Sequence, residues 1–449
     1  MYTPDTIAAI ATPPGPGGIG VIRVSGPAVV ELAPQVARRA RAGDWRSHYL
    51  YRAQLCAVDG TALDDGLAVL MRAPHSYTGE DVLELHAHGS PLVLDQLLAA
   101  LFALGARPAR AGEFTHRAFL NGKLDLAQAE AVMALVEART ADGAVAAASQ
   151  LFGGLSARCA LIRDALVRAR AHCEARLDFG DEHLDLEEDG LAIELAQARE
   201  AVRGLLAGAA RGALTRHGLR VVLTGRPNAG KSSLLNALCG EERAIVTSIP
   251  GTTRDAIEAA ADFDGIPVTL VDTAGLRDTH DEIERLGVAR ATAAAAGADV
   301  IVVLLDNTRP LDDQRALVAD NSLIVINKID CPSAWSADER AALTASYAPV
   351  SVAATVPLGL ESLRAAVLSR AGVQWGDNVP PLTSARQRDA LTKVEASLTD
   401  ALAAAAASLP DELIAVDVQA ALEHIGVVTG SATTEDVLDA VFREFCIGK

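Results

Sequence analysis

The stretch Arg220-Val-Val-Leu-Thr-Gly225-Arg-Pro-Asn-Ala-Gly230-Lys-Ser-Ser-Leu-Leu235 decides the fold. Residues 220–224 form a short β-branched apolar run, and Leu234, Leu235 and Leu238 recur at helical spacing. Between them lies a GxxxxGK[ST] loop, so the order is strand, phosphate loop, helix. Glycines let backbone N–H groups wrap phosphates at the helix N-terminus, Lys231 neutralises the outer phosphate oxygens, and the Ser232 hydroxyl is placed to take Mg²⁺. Asn228, Ala229, Gly230 and Ser233 complete the expected phosphate contacts.

Working outward, further apolar runs at 268–271, 300–305 and 323–326 alternate with helical segments, which predicts a parallel, doubly wound sheet. Each run precedes a chemical motif. Asp272-Thr273-Ala274-Gly275 offers a carboxylate to the Mg²⁺ shell and a glycine N–H to the terminal phosphate. Asn327-Lys328-Ile329-Asp330 selects guanine, because the Asp330 carboxylate accepts two hydrogen bonds that adenine cannot donate. Gly251-Thr252-Thr253-Arg254-Asp255 supplies a loop whose Thr253 completes the metal shell, with Thr247, Ser248, Ile249 and Pro250 leading into it. A fifth guanine-site motif falls on Ser351-Val352-Ala353. The substrate implied is GTP.

The residue after the DTAG glycine is Leu276, which cannot orient water as a glutamine there would. Asn228 suggests another solution, a side-chain carbonyl holding a monovalent cation beside the phosphates. Asp278, Asp281, Glu282 and Glu284 follow; one could position water, and a solvated acidic face is the alternative.

Composition bounds the rest. The chain has 449 residues, 50% hydrophobic, with a net charge of −18, so as a whole it is not a basic nucleic-acid glove and any polyanionic partner must meet a local patch; neither a basic patch nor an appended RNA-binding module is visible in the sequence. Six scattered cysteines without a CxxC pair exclude a disulfide scaffold or zinc ribbon and fit a reducing cytoplasm. No apolar run approaches the roughly 20 residues of a membrane helix. Of the basic residues, 35 are arginine and only Lys123, Lys231, Lys328, Lys393 and Lys449 are lysine, which marks those five as candidates for a compact ammonium.

The expected organisation is an N-terminal mixed α/β domain at 1–120, with strands at 19–24 and 82–85 and a charge of −1. A helical domain follows at 121–216 and resumes at 374–449 after the linker at 375–381, with the α/β unit of 217–373 inserted. Glu84, His86 and His88 alternate on one strand face but lack a fourth metal ligand, and the acidic stretch 178–189 reads equally as a motif of the helical domain or as a solvated helix end.

The four nucleotide motifs resemble the translation-factor-related class of P-loop GTPases. The chain ends narrow this. Asp5-Thr-Ile-Ala-Ala-Ile-Ala-Thr-Pro-Pro-Gly15, the block Gly17–Gly26, Ser76-Tyr-Thr-Gly-Glu-Asp81, the block Gly112–Lys123 and Phe445-Cys-Ile-Gly-Lys449 are similar to the MnmE (TrmE) family of tRNA modification GTPases. The resemblance implies an N-terminal domain that binds 5-formyl- or 5,10-methylene-tetrahydrofolate and dimerises, a helical domain, and a Ras-like G domain that pairs across the homodimer around K⁺. It maps folate contacts to Arg23, Glu80, Lys123 and Lys449, potassium ligands to Asn228, Thr247, Ile249 and Thr252, and a general base acting through water to Glu284. The family's C-terminal cysteine is Cys446, for which packing beside Phe442 and Phe445 or lining of the folate pocket is expected over a nucleophilic role.

The function implied is GTP hydrolysis coupled to C5 modification of the wobble uridine of certain tRNAs, with an MnmG (GidA)-like FAD protein in a heterotetramer or larger assembly, in the cytoplasm and without a membrane. The rival is a ribosome-assembly or signalling switch without carbon transfer. A stand-alone folate enzyme with a regulatory G domain is the third possibility.

Overall fold

The structure is a computed structural model that describes residues 5–40, 43–178, 190–240, 257–272, 297–356, 358–373, 382 and 384–449. The chain divides into two compact units. The first joins Met1–Met133 to Ser156–Ala160 and Glu423–Lys449, and the second comprises Ala134–Leu155 and Leu161–Leu422.

The first unit is built on seven strands: β1 (Ile7–Ile10), β2 (Gly17–Ser25), β3 (Ala37–Arg39), β4 (Tyr49–Cys56), β5 (Ala62–Met71), β6 (Val82–Gly89) and β7 (Arg107–Pro108). Their order is β3-β4-β5-β6-β2-β1-β7, antiparallel throughout except for the parallel β1–β7 pair. The strands expected at 19–24 and 82–85 are therefore its central pair, and the flanking strands complete it. Alternation decides the faces. Ile22, Val24, Leu83, Leu85, Ala68, Leu70, Ala53 and Leu55 form one core with Val29, Leu32, Val36, Leu94, Leu97 and Leu101 from the helices Val29–Val36 and Pro91–Ala103. Arg23 and Glu84, paired directly across β2 and β6, share the opposite face.

In the second unit lies a six-stranded sheet: β8 (Leu219–Gly225), β9 (Ile257–Phe263), β10 (Ile266–Asp272), β11 (Val300–Asp306), β12 (Leu323–Asn327) and β13 (Val350–Ser351), in the order β13-β12-β11-β8-β10-β9. The four apolar runs of the sequence coincide with β8, β10, β11 and β12. The sheet is not wholly parallel as expected, because β9 runs antiparallel to β10. The reason is local: only Asp264 and Gly265 separate these strands, both at positive φ, and two such residues close a tight hairpin.

Both faces of this sheet are covered. Val302, Leu304, Leu323 and Val325 pack into one core with Leu234, Leu238, Leu363 and Val367. Their neighbours Val303, Leu305, Ile324 and Ile326 enter another with Leu311, Trp335 and Leu343. Continuous burial along β12 is the signature of a strand sandwiched between layers. Around the sheet the unit is helical, with Gly190–Ala207 packed along Ala385–Ala406. Among the described residues, no single helix is long and apolar enough to cross a membrane.

Candidate functional site

Every legible nucleotide motif sits at the carboxyl end of a strand. β8 ends at Gly225, β10 at Asp272, β11 at Asp306 and β12 at Asn327, and the parallel register sets Asp306 beside Asn327 and Leu304 beside Gly225. In an open α/β sheet this edge, where the chain order reverses about β8, is where a ligand binds.

The phosphate loop is held from several sides. Lys231 is buried and its Nζ donates to the carbonyls of Gly225 (2.8 Å) and Arg226 (3.0 Å). Burial pushes its pKa down, opposed by the Asp272 charge. Ser232 Oγ donates to Asp272 Oδ2 at 2.7 Å, with Asp272 almost fully buried. A hydroxyl and a carboxylate brought together from two motifs are the oxygen donors a hard cation such as Mg²⁺ takes. Asn228 is exposed at the crest of the loop with φ +65°, a conformation asparagine tolerates.

The guanine motif grips the same loop. Asn327 Nδ2 donates to the Ala229 carbonyl at 2.8 Å. Lys328, at φ +61°, donates to the Asn228 carbonyl (2.9 Å) and to Asp306 Oδ2 (2.6 Å). Asp306 is almost fully buried; burial alone would raise its pKa, but Lys328 and Thr308 hold it below the usual carboxylate range. The fifth segment reaches this motif through its backbone: Ile329 N–H donates to the Val352 carbonyl (3.3 Å) and Ala354 N–H to Asn327 Oδ1 (3.2 Å). Val352 and Ala353 are buried and Ser351 is exposed. Thr355 Oγ1 donates to Asp330 Oδ2 at 3.3 Å.

Thr247, Ser248, Ile249, Pro250, Gly251, Thr252 and Thr253 lie outside the described residues, as do Thr273, Ala274, Gly275, Leu276, Asp278, Asp281, Glu282 and Glu284. So do the linker at 375–381 and 179–189 of the acidic stretch. Sequence reasoning missed Asp306, Ala354 and Thr355. Asp306 carries a usable signal, an acid ending an apolar strand just as Asp272 does.

In the first unit, three of the four residues mapped by resemblance, Arg23, Glu80 and Lys123, make side-chain contacts, and Lys449 follows a residue that Arg23 reaches. Arg23 Nε donates to Glu84 Oε1 (2.9 Å), its Nη1 to the Gly448 carbonyl (3.4 Å), and its guanidinium lies over the rings of Tyr77 and Phe114 at 5.0 and 5.8 Å. The C-terminal tail is fixed there by an Ala111–Ile447 bridge and a Gly112 N–H to Cys446 carbonyl bond, which brings Lys449 to this end of the sheet. Glu80 accepts from Ser25 Oγ (2.7 Å) and from Arg117 Nη1 (3.0 Å). Lys123 Nζ donates to the Pro74 carbonyl (3.2 Å), with its Cγ beside Gly79.

Arg117, which sequence reasoning passed over, is buried and also pairs with Asp5 (2.6 Å) and Glu113 (3.1 Å). Burial would raise the Glu113 carboxyl, but Arg107, the Arg110 N–H and Arg117 hold it at about 2. The packing expected of Cys446 belongs to Phe442 and Phe445, which are buried, whereas the thiol is exposed. His86 leans on Glu84 (3.4 Å) and His88 on Asp64 (2.8 Å), and no metal-holding cluster occurs among the described residues.

Comparison with known proteins identifies the family. Residues 6–123 match the family model of the GTP-binding protein TrmE N-terminus and residues 126–446 that of the MnmE helical domain. The chain is 41% identical over 457 residues to the tRNA modification GTPase MnmE of Natranaerobius thermophilus, covering 100% of both chains. It is 42% identical over 467 residues to that of Roseiflexus sp., again with 100% of both covered. Among solved structures, the G domain of the T. maritima FeoB iron transporter aligns with 34% of this chain and 98% of its own, at 26% identity and a TM-score of 0.26. With matching models over both ends and relatives aligned from first residue to last, the chain belongs to the MnmE family of tRNA modification GTPases.

Proposed function

We propose that this GTPase, working with an MnmG (GidA)-like FAD protein in a heterotetramer or larger assembly, installs an aminomethyl or carboxymethylaminomethyl group on C5 of the wobble uridine of certain tRNAs. The reading rests on the end-to-end similarity to tRNA modification GTPases, joined to a phosphate loop in which Lys231, Ser232 and Asp272 are already assembled. As in other GTPases, GTP is the substrate and Mg²⁺ its counterion.

Lys231 would trade its two loop carbonyls for phosphate oxygens, while Ser232, Asp272 and Thr253 would hold Mg²⁺. Thr273, Ala274 and Gly275 would face the terminal phosphate, and Asn327 to Asp330 the guanine. K⁺, when bound, supplies positive charge beside the phosphates in place of an arginine finger. Asn228 would hold it from its exposed crest with Thr247, Ile249 and Thr252, and Glu284 would act as base through water.

A tetrahydrofolate, when bound, supplies the one-carbon unit. Arg23, Lys123 and Lys449 suit its glutamate carboxylates. Glu80, fixed by Ser25 and Arg117, could accept hydrogen bonds from the pterin. This reading keeps the domain layout of 1–120, 121–216, 217–373 and 374–449, a homodimer, and a cytoplasmic site of action.

The test is nucleoside mass spectrometry of tRNA from cells lacking the gene. C5-aminomethyl-type uridines should vanish and return with the intact gene but not with Lys231→Ala. An unchanged profile would favour the assembly-switch reading. GTP turnover in KCl against NaCl at equal ionic strength tests the cation site, and equal rates would remove it.

A further inference from the structure

The chain carries a net charge of −18, yet residues 37–54 hold five arginines, Arg38, Arg39, Arg41, Arg46 and Arg52, against one acid, Asp44. In the structure, residues 37–40 and 43–54 of this segment form the free edge of the first unit's sheet, and Arg41 lies outside the described residues. The local patch that a polyanionic partner of so acidic a chain requires is here, assembled with three aromatic rings.

The cluster is built, not loose. The Arg39 guanidinium lies over both Trp45 (4.6 Å) and Tyr51 (4.5 Å), whose rings meet edge-on at 5.3 Å. Tyr51 packs on Tyr49 at 4.7 Å, and Arg46 lies over Tyr49 at 5.6 Å. The loop is pinned by Arg46 N–H to Tyr51 Oη (3.2 Å), His48 N–H to the Leu70 carbonyl (2.9 Å) and Arg72 N–H to Ser47 Oγ (3.0 Å). Arg52 is neutralised by Asp65. Arg38, Arg39 and Arg46 pair with no carboxylate among the described residues; Arg38 and Arg39 donate only to backbone carbonyls.

A plainer account is that arginines guard an edge strand against pairing with other chains. That account does not cover the aromatic side chains, since Tyr49 and the adjacent Leu50 are about half exposed on the same edge and would invite contact. Unpaired guanidinium groups interleaved with pre-ordered, partly exposed rings are the combination that binds single-stranded nucleic acid, phosphates meeting the cations and bases stacking on the rings.

We infer that the β3–β4 edge is a tRNA-contacting surface, which holds an unpaired segment of the tRNA through Arg38, Arg39 and Arg46 and the faces of Tyr49 and Trp45. The inference rests on the family's action on tRNA and not on the folate or potassium assignments. It also answers how an acidic chain meets a polyanion, by confining positive charge to one edge.

The experiment uses the full-length protein and a fluorescently labelled, unmodified tRNA, with affinity measured across a salt series. Arg38→Glu with Arg46→Glu should weaken binding at least about tenfold and flatten the salt dependence by about two units of slope. Tyr49→Ala should weaken binding severalfold with the salt slope unchanged, as expected for lost stacking. GTP turnover without tRNA should be unaffected in all of these variants. The inference is overturned if the wild type does not bind at low salt, or if the double variant binds within about twofold of wild type. It is equally overturned if sedimentation shows that the variants change oligomeric state, which would make this edge an interface between copies of the chain. Because binding is read without any modification step, the result is independent of whether the wobble-uridine chemistry holds.

Discussion

Replacing Gly230 by alanine attacks the phosphate loop at the point where two motifs touch. Gly230 has φ +99°, and a Cβ built on it would stand 2.3 Å from Asn327 Nδ2. Asn327 has nowhere to retreat: it is 2% exposed, ends the buried strand β12, and uses both ends of its amide, one on the Ala229 carbonyl (2.8 Å) and one on the Ala354 N–H (3.2 Å). The methyl group therefore costs both hydrogen bonds, about 1 kcal/mol net each, besides about 1–2 kcal/mol for a side chain at that φ. A total near 3 kcal/mol corresponds to about a hundredfold loss of guanine-nucleotide affinity, if the loop must recover this geometry to bind. The assay is titration with a fluorescent GDP analogue in Mg²⁺, alongside thermal unfolding. Gly240→Ala is the control: Gly240 ends the helix that Lys231 begins and has open space around it, so alanine there should be neutral or slightly stabilising. Affinity of Gly230→Ala within about threefold of wild type, with unchanged unfolding, would refute the view that Asn327 clamps the loop.

Asp306→Asn should leave Lys328 without its charged partner and weaken guanine-nucleotide binding about tenfold, by nucleotide titration, with a smaller effect on turnover at saturation. Glu113, held at about 2, contributes stability that is complete above the ordinary glutamate range near 4.5 and is lost as pH falls from there toward 2. Glu113→Gln should accordingly flatten the acid limb of the unfolding profile, whereas an unaltered limb would place the acid sensitivity elsewhere. Thiol labelling of the native protein should modify Cys331 and Cys446 first, both exposed, and spare Cys159 and Cys173, which are buried and pushed up to about 12 and about 11. Rapid labelling of either buried thiol, read by peptide mass spectrometry, would contradict their packing.

Much of the G-domain sheet was legible because its signals are local. Apolar β-branched runs mark β8, β10, β11 and β12, and the GxxxxGKS loop needs only its own glycines and lysine to declare its chemistry. The antiparallel hairpin of β9 and β10 was also written locally, in Asp264-Gly265, but its strand Ile257–Phe263 is too alanine-rich to read as β. The strands β4 and β5 at the edge of the first sheet read less clearly, because they bury alternate residues only in their second halves and begin on exposed positions.

What packing alone decided are the pairings between residues far apart in the chain. Nothing near Arg23 foretells that its guanidinium meets the carbonyl of Gly448, 425 residues away, or that Arg117 is buried among Asp5, Glu80 and Glu113. Nor does the Asn-Lys-Ile-Asp motif disclose that Lys328 is gripped by Asp306 from the next strand. Five arginines near residue 45 are visible to any count, but whether they are neutralised, buried or stacked on exposed rings is fixed only when the β3–β4 edge is folded. The reason is physical: backbone pattern and loop chemistry act over a few residues, whereas the partners of a charge, and with them its pKa and its availability to a ligand, are set by the groups that folding brings within a few ångströms.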